Sequence, residues 1–254
     1  MEIAGIILFA LLGTAVGSFL NVVADRLPAG RSIVGPASGC DACHKRLAAV
    51  DMIPVFSYLW LRGRCRYCHS QLPRRILRVE LGTGALFAYL YWQLGFNADL
   101  AIAAIYGSFF IAIMMIDLEQ GLILNKMVFP AMLVALGLSL FLSDLDTVPT
   151  IASAAGGGGL GLGLFLIIAI VSRGGMGWGD VKLAGLIGLV AGFPLVLVAV
   201  MLAIIAGGLA AIALLTLKLR ERKQTLPFGV FLAIGAVITL VHGAGLWDWY
   251  LALF

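Results

Sequence analysis

Eight apolar runs, most of them long enough to cross a lipid bilayer, govern what this chain can become. A transmembrane helix needs about 20 mostly apolar residues, because each adds about 1.5 Å towards about 30 Å of hydrocarbon. Runs of this kind lie near 3–23, 78–96, 100–117, 127–143, 151–172, 181–193, 195–217 and 226–243, the sixth being short and Gly-rich. One buried globular core is therefore excluded, and composition agrees. The chain is 62% hydrophobic and 12% charged, with a mean hydropathy of +1.07, whereas soluble domains run nearer half apolar and a quarter charged. The first run has neither a basic leader segment nor a small-residue cleavage site, so it is expected to be a retained span. The expected fold is an all-α polytopic membrane protein of about eight transmembrane helices. It divides into a first helix at 1–23, a polar insert at 24–77 and a helical body at 78–254.

The positions of the seventeen Lys and Arg orient these spans. Ten lie in or beside the insert: Arg26, Arg31, Lys45, Arg46, Arg62, Arg64, Arg66, Arg74, Arg75 and Arg78. The others, Lys126, Arg173, Lys182, Lys218, Arg220, Arg222 and Lys223, fall at connections on the same side when eight crossings are counted. The opposite connections hold Asp99, Asp144, Asp146 and Asp248 and no Lys or Arg. Cationic loops resist translocation against the membrane potential, so the basic side is expected to be cytoplasmic and both termini to face outward. The net charge of +4 thus belongs to span edges next to lipid, and nucleic acid is not expected as a partner.

Glycine is abundant within the spans, notably Gly156 to Gly159 with Gly161 and Gly163. Close helix packing through small residues is the expected reason, and a flexible segment beside a reactive centre is the alternative.

The only four cysteines, Cys40, Cys43, Cys65 and Cys68, form two C-x₂-C pairs separated by twenty-one residues. This is the spacing of a zinc ribbon, in which four thiolates surround one tetrahedral ion. A cytoplasmic insert has reduced thiols, and one this small gains from a metal the folding energy that its core cannot supply. Four protein ligands leave no open position for water, so the zinc is expected to be structural. His44 and His69 each follow a cysteine directly and are expected to be exposed or to support the ligands. Two disulfides or idle thiols are the alternative.

Two acids fall at the same membrane face. Asp117 ends the third run, in Met114-Met115-Ile116-Asp117-Leu118-Glu119, and Asp180 closes Gly177-Trp178-Gly179-Asp180 just before the sixth. An acid at a span's edge is costly unless it meets a wet cavity or a partner. Two carboxylates sharing one water cannot easily both ionise, which leaves one acid protonated and one able to take a proton from water. Gly177 and Gly179 would let a substrate backbone approach Asp180 closely. Glu119 is a rival to Asp117, but residues two apart on a helix point about 200° from each other. Lys182 is expected at the headgroups, where it could also meet substrate acids.

With these features in order, the sequence resembles the bacterial type IV prepilin peptidases, within the wider group of GxGD membrane aspartyl proteases. The likeness runs through Gly17-Ser18-Phe19-Leu20-Asn21, Arg26-Leu27-Pro28, Ile53-Pro54-Val55-Phe56-Ser57-Tyr58, the second cysteine pair, Val79-Glu80-Leu81, Asp117, Gly177 to Asp180 and Leu226-Pro227-Phe228-Gly229. It implies catalysis by Asp117 and Asp180, zinc on Cys40, Cys43, Cys65 and Cys68, and a substrate-facing role for Gly177 and Gly179. It implies a bacterial inner-membrane endopeptidase that removes the leader of type IV prepilins or type II secretion pseudopilins after a Gly on the cytoplasmic side. It also implies N-methylation of the new amine with S-adenosylmethionine, in the region of Glu80 and Arg26. The chain departs from the family in lacking a proline in Leu122-Ile123-Leu124-Asn125 and in carrying Arg75-Ile76-Leu77 before its second span. The rival expectation is a zinc-stabilised membrane transporter or assembly scaffold without hydrolytic activity, for which matching broken spans in both halves would be expected. None is visible. A methyltransferase with a decayed peptidase site is a second rival, but both aspartates are present.

Overall fold

The structure, a computed structural model, describes residues 2–172, 175–217 and 227–253. Arg173, Lys218, Arg220, Arg222, Lys223 and Leu226, which entered the sequence reading, lie outside the described residues. Among those described, regular structure is entirely helical, and each apolar run coincides with a helix. These are α1 (Ile3–Arg26), α3 (Arg74–Leu94), α4 (Ala98–Gln120), α5 (Asn125–Phe141), α6 (Ile151–Val171), α7 (Trp178–Ala191), α8 (Leu195–Thr216) and α9 (Phe228–Leu251), with the short α2 (Phe56–Trp60) inside the insert. Five of them, α1, α4, α6, α8 and α9, are long and apolar enough to cross a membrane alone. The other three fall short for visible reasons. α3 carries Arg74, Arg75, Arg78 and Glu80 in its first two turns, and α5 and α7 have 17 and 14 residues. The chain is a multi-pass membrane protein.

The fold has two compact units, Met1–Leu100 and Ala101–Phe254. In the first, α1 and α3 pack along each other, with the insert connecting them. The approach is close because small residues face each other. A Cβ on Gly13 would lie 2.6 Å from the Thr83 carbonyl oxygen, and one on Gly84 2.7 Å from Thr14 Cγ2. Phe9 and Tyr91 stack with ring centroids 4.8 Å apart. Arg75 of α3 pairs with Asp25 of α1 at 2.7 Å, and Asn21 donates from Nδ2 to the carbonyls of Gly17 and Ile76. In lipid the helices gain nothing by hiding apolar surface from water, so contact area and such polar ties hold the pair.

In the second unit α6 packs on α7 and α8 on α9. The run of glycines in α6 meets the glycines of α7: a Cβ on Gly157 would strike the Gly188 carbonyl, and one on Gly188 would strike Gly157. Gly157, Gly158 and Gly161 fill the close-packing role expected for this stretch, whereas a Cβ on Gly159 or Gly163 would meet nothing within 4 Å. Gly235 of α9 meets Ala199 of α8 in the same way.

Candidate active site and metal centre

Asp117 lies in the last turn of α4 and is buried. Its Oδ2 accepts the backbone N–H of Val230 at 3.1 Å, and the Gly229 backbone also hydrogen-bonds the carboxyl. These are first-turn N–H groups of α9, which have no partner within their own helix. The acid therefore sits on the positive end of the α9 dipole, where a carboxylate is stabilised. Gly229 makes the approach possible, because a Cβ there would lie 2.7 Å from Asp117 Oδ2.

Asp180 occupies the first turn of α7 and is half-buried. Gly177 is the N-cap, and its backbone hydrogen-bonds the Asp180 carboxyl as in a capping box. A Cβ on Gly177 would sit 3.3 Å from Asp180 Oδ2. The starts of α7 and α9 close on one side chain, Ile123, which lies against Gly179, next to Asp180, and against Gly229, whose backbone holds Asp117. So the end of α4 and the starts of α7 and α9 bring two acids together at helix termini. Glu119, two residues on, is exposed.

The connection from α4 to α5 closes this arrangement. The Ile123 side chain lies between the two helix starts: a Cβ on Gly179 would be 2.8 Å from Ile123 Cβ, and one on Gly229 would be 2.8 Å from Ile123 Cδ1. Asn125, the first residue of α5, accepts a hydrogen bond from Lys182 Nζ at 2.9 Å, and that ammonium lies 5.8 Å from the Phe129 ring centroid. Lys182 thus ties the segment after Asp117 to the helix that carries Asp180. Sequence reasoning gave no role to Ile123 or Asn125, since an apolar residue and a lone amide at a helix start do not stand out. The only hint was that Leu122–Asn125 is where the chain departs from the family by lacking a proline.

In the insert, the four cysteine sulfurs all lie within 4.8 Å of one another, and Cys40 Sγ is 3.7 Å from Cys68 Sγ. A tetrahedral zinc with bonds of about 2.3 Å has ligand sulfurs about 3.8 Å apart, so the donor set fits a metal ion of this kind. Both C-x₂-C segments have one geometry. The N–H of His44 donates to the Cys40 carbonyl at 2.7 Å and that of His69 to the Cys65 carbonyl at 3.1 Å. Both histidines have positive φ, at 56° and 58°, and both are exposed. Isolated bridges Gly39–Arg46 and Arg64–Gln71 flank the segments at equivalent positions. The histidines therefore act as the tight-turn residues of two matching knuckles. Ser70, which the sequence did not single out, hydrogen-bonds Cys40 and Cys68 through its hydroxyl at 3.5 and 3.2 Å. That hydroxyl is the main reason Cys40 is lowered to about 6 and Cys68 is also lowered. Cys43, beside the sulfurs of Cys68 and Cys40, is instead raised to about 11, as crowded thiols are when no cation offsets their charge; only the thiolate is a metal ligand.

Glu80 of α3 is buried, and its Oε2 accepts the Val55 N–H at 2.7 Å. Val55 has φ 62° and ψ −52°, with the Phe56 N–H donating to the Pro54 carbonyl at 2.6 Å. This is a γ-turn of the strained hand, on a β-branched residue.

A model of the bacterial peptidase A24 N-terminal domain matches residues 11–94, and a model of the type IV leader peptidase family matches residues 104–212. The two matches fall within the two units. A prepilin leader peptidase/N-methyltransferase of Bacillus subtilis is 31% identical over 96% of this chain and 96% of its own. Proteins of the same description from Pseudomonas aeruginosa and Burkholderia pseudomallei are 29% and 32% identical, over 92% of this chain in each case and 89% and 84% of their own. No solved structure matches the chain.

Proposed function

The chain belongs to the type IV leader peptidase family and is a peptidase, and on that premise we propose that Asp117 and Asp180 cleave the leader of a type IV prepilin or a type II secretion pseudopilin after a glycine. The observation that carries this reading is the buried Asp117 carboxyl, seated on the start of α9 and joined through the Ile123 side chain to the start of α7, which carries Asp180. One acid is protonated and the other ionised. The ionised acid takes a proton as water oxygen attacks the scissile carbonyl carbon, and the neutral acid protonates the carbonyl oxygen. Collapse of the tetrahedral species breaks the C–N bond as the amine receives a proton, which releases leader and mature chain. The open backbone at Gly177 and the apolar Ile123 wall would receive the extended substrate.

Cys40, Cys43, Cys65 and Cys68 would hold a structural zinc, whose chemistry is to cross-link the insert. The N-methyltransferase part of the relatives' description brings a second activity to the proposal: methylation of the freed amine with S-adenosylmethionine. The described residues form no strand-to-helix Gly-rich loop for a nucleotide, and we assign none to that donor. The bacterial inner membrane is the proposed location, with insert and aspartates on the cytoplasmic side. The one-sided distribution of Lys and Arg supports that orientation.

The test is purified protein in detergent incubated with a prepilin and S-adenosylmethionine and followed by mass spectrometry. Loss of the leader with an added methyl is expected. An intact substrate under conditions in which a relative cleaves it would favour the scaffold or transporter reading.

A further inference from the structure

The insert exposes apolar side chains that a polar cytoplasmic module has no reason to carry. Val50, Met52, Ile53, Phe56, Leu59 and Trp60 are all largely exposed, Trp60 at 72%, and Phe56 stacks on Trp60 with centroids 5.8 Å apart. They form one stretch, from the 3₁₀ turn at Ala49–Met52 through α2. A patch of this size rimmed by charge marks an interaction site.

The depth of this stretch along α1 identifies what it meets. Val55, at the start of α2, is held by Glu80. Glu80 in turn lies against Gly17, where a Cβ would be 2.8 Å from Glu80 Cα. Gly17 is nine residues before Arg26, the last residue of the spanning helix α1, and so about 13 Å inside its end at about 1.5 Å per residue. Glu80 is likewise six residues beyond Arg74, about 9 Å into α3. The Glu80 backbone is therefore below the level of Arg26, Arg74 and Arg75, whose charges belong with the headgroups, and its side chain leans back towards the start of α3 to reach Val55. A segment lying in the membrane interface sits about 5–10 Å into the headgroup and acyl boundary, and a turn held by Glu80 between that backbone level and the arginines falls in this zone. Buried under the γ-turn, the Glu80 carboxylate is shielded from hydrocarbon, which accounts for a strained conformation at a valine. Beyond α2 the exposed Arg62 and Arg64 supply the positive rim that anionic headgroups require, while Arg66 pairs with Asp51 at 2.7 Å within the module.

We propose that the stretch from Val50 to Trp60 is an interfacial anchor, which lays the metal module onto the anionic phospholipid surface of the membrane that α1 crosses. Phe56, Leu59 and Trp60 enter the acyl boundary, with Arg62 and Arg64 at the phosphates. The module is thereby fixed in the plane of the membrane and does not stand free in the cytosol. This inference rests on the geometry of the first unit and is independent of the hydrolytic assignment, so leader cleavage is not its readout.

The test uses full-length protein in nanodiscs of phosphatidylethanolamine and phosphatidylglycerol, with Trp92, Trp178, Trp247 and Trp249 replaced by Phe so that Trp60 alone reports. Blue-shifted Trp60 emission is expected, quenched more by lipids brominated at shallow acyl positions than at deep ones and little by aqueous iodide. Emission quenched by iodide and untouched by brominated lipid would place the patch in water and overturn the proposal. Emission insensitive to both would show protein covering it, which also overturns it. If the fourfold replacement impairs folding, the difference in quenching between wild type and Trp60→Phe gives the same readout. Glu80→Ala, which removes the acceptor at Val55, should shift the Trp60 emission to the red, whereas Glu80→Gln, which retains an acceptor oxygen, should not. Identical spectra for both variants would refute the tether.

Discussion

Replacing Asp117 by Asn separates what that residue does for the fold from what it does for the reaction. In the native protein its Oδ2 accepts the Val230 N–H at 3.1 Å, and a hydrogen bond to a charged acceptor contributes about 1.5–3 kcal/mol. Asn is nearly the same size and keeps a carbonyl oxygen for that N–H, so the bond weakens towards the neutral value of about 1 kcal/mol. The predicted cost in stability is therefore about 0.5–2 kcal/mol, and α9 remains seated. Chemistry should suffer far more. The amide can neither take the proton of an attacking water nor share one with Asp180, and a positioned acid or base contributes about 10²- to 10⁴-fold in rate. Asp117→Ala is the control, because it leaves the Val230 N–H unpartnered at a cost of about 1–3 kcal/mol. The assay is mass-spectrometric leader loss in detergent, alongside thermal melting of each variant. Cleavage by Asp117→Asn within a factor of a few of wild type, at matched stability, would remove Asp117 from the mechanism.

Four further outcomes are expected. Gly229→Ala introduces a Cβ 2.7 Å from Asp117 Oδ2 and 2.8 Å from Ile123 Cδ1, and overpacking of this kind costs about 1–3 kcal/mol; cleavage should fall about tenfold or more while bound zinc is unchanged, as measured by initial rates and metal analysis. Lys182→Met removes the 2.9 Å bond to Asn125, worth about 0.5–1.5 kcal/mol; kcat should fall several-fold with little change in KM, and Lys182→Arg should recover part of it. Cys40→Ser takes away a buried sulfur of the four-thiol cluster, and elemental analysis should show zinc lost, with increased proteolysis of the insert. A cysteine introduced as Asp146→Cys should react with an impermeant maleimide applied to whole cells, and labelling only after lysis would reverse the proposed orientation.

The regularities of the chain that are local in sequence could be read without coordinates. Eight apolar runs became eight helices because span length is set by bilayer thickness and is counted along the chain. The C-x₂-C pairs behaved likewise, since each knuckle is a turn closed within five residues. His44 and His69 are exposed, as expected, though their positive φ is a backbone property that composition does not reveal. α3, α5 and α7 were legible as helices too, although charge or short length keeps each from being long and apolar enough to cross a membrane alone.

What sequence determined, then, was the inventory: helices, a four-thiol cluster, and two acids at helix ends. Tertiary structure decided the partnerships. That α1 packs on α3 and α6 on α7 follows from glycines 71 and 31 residues apart meeting face to face, as Gly13 meets Gly84 and Gly157 meets Gly188. The same holds for Asp117, whose hydrogen-bond donor lies 113 residues downstream at Val230, and for Glu80, whose partner is Val55 in a strained turn. Local pattern is fixed by helix period and turn chemistry, which act over a few residues. Contacts between distant segments depend on how whole helices pack in lipid, and no short window of sequence encodes that.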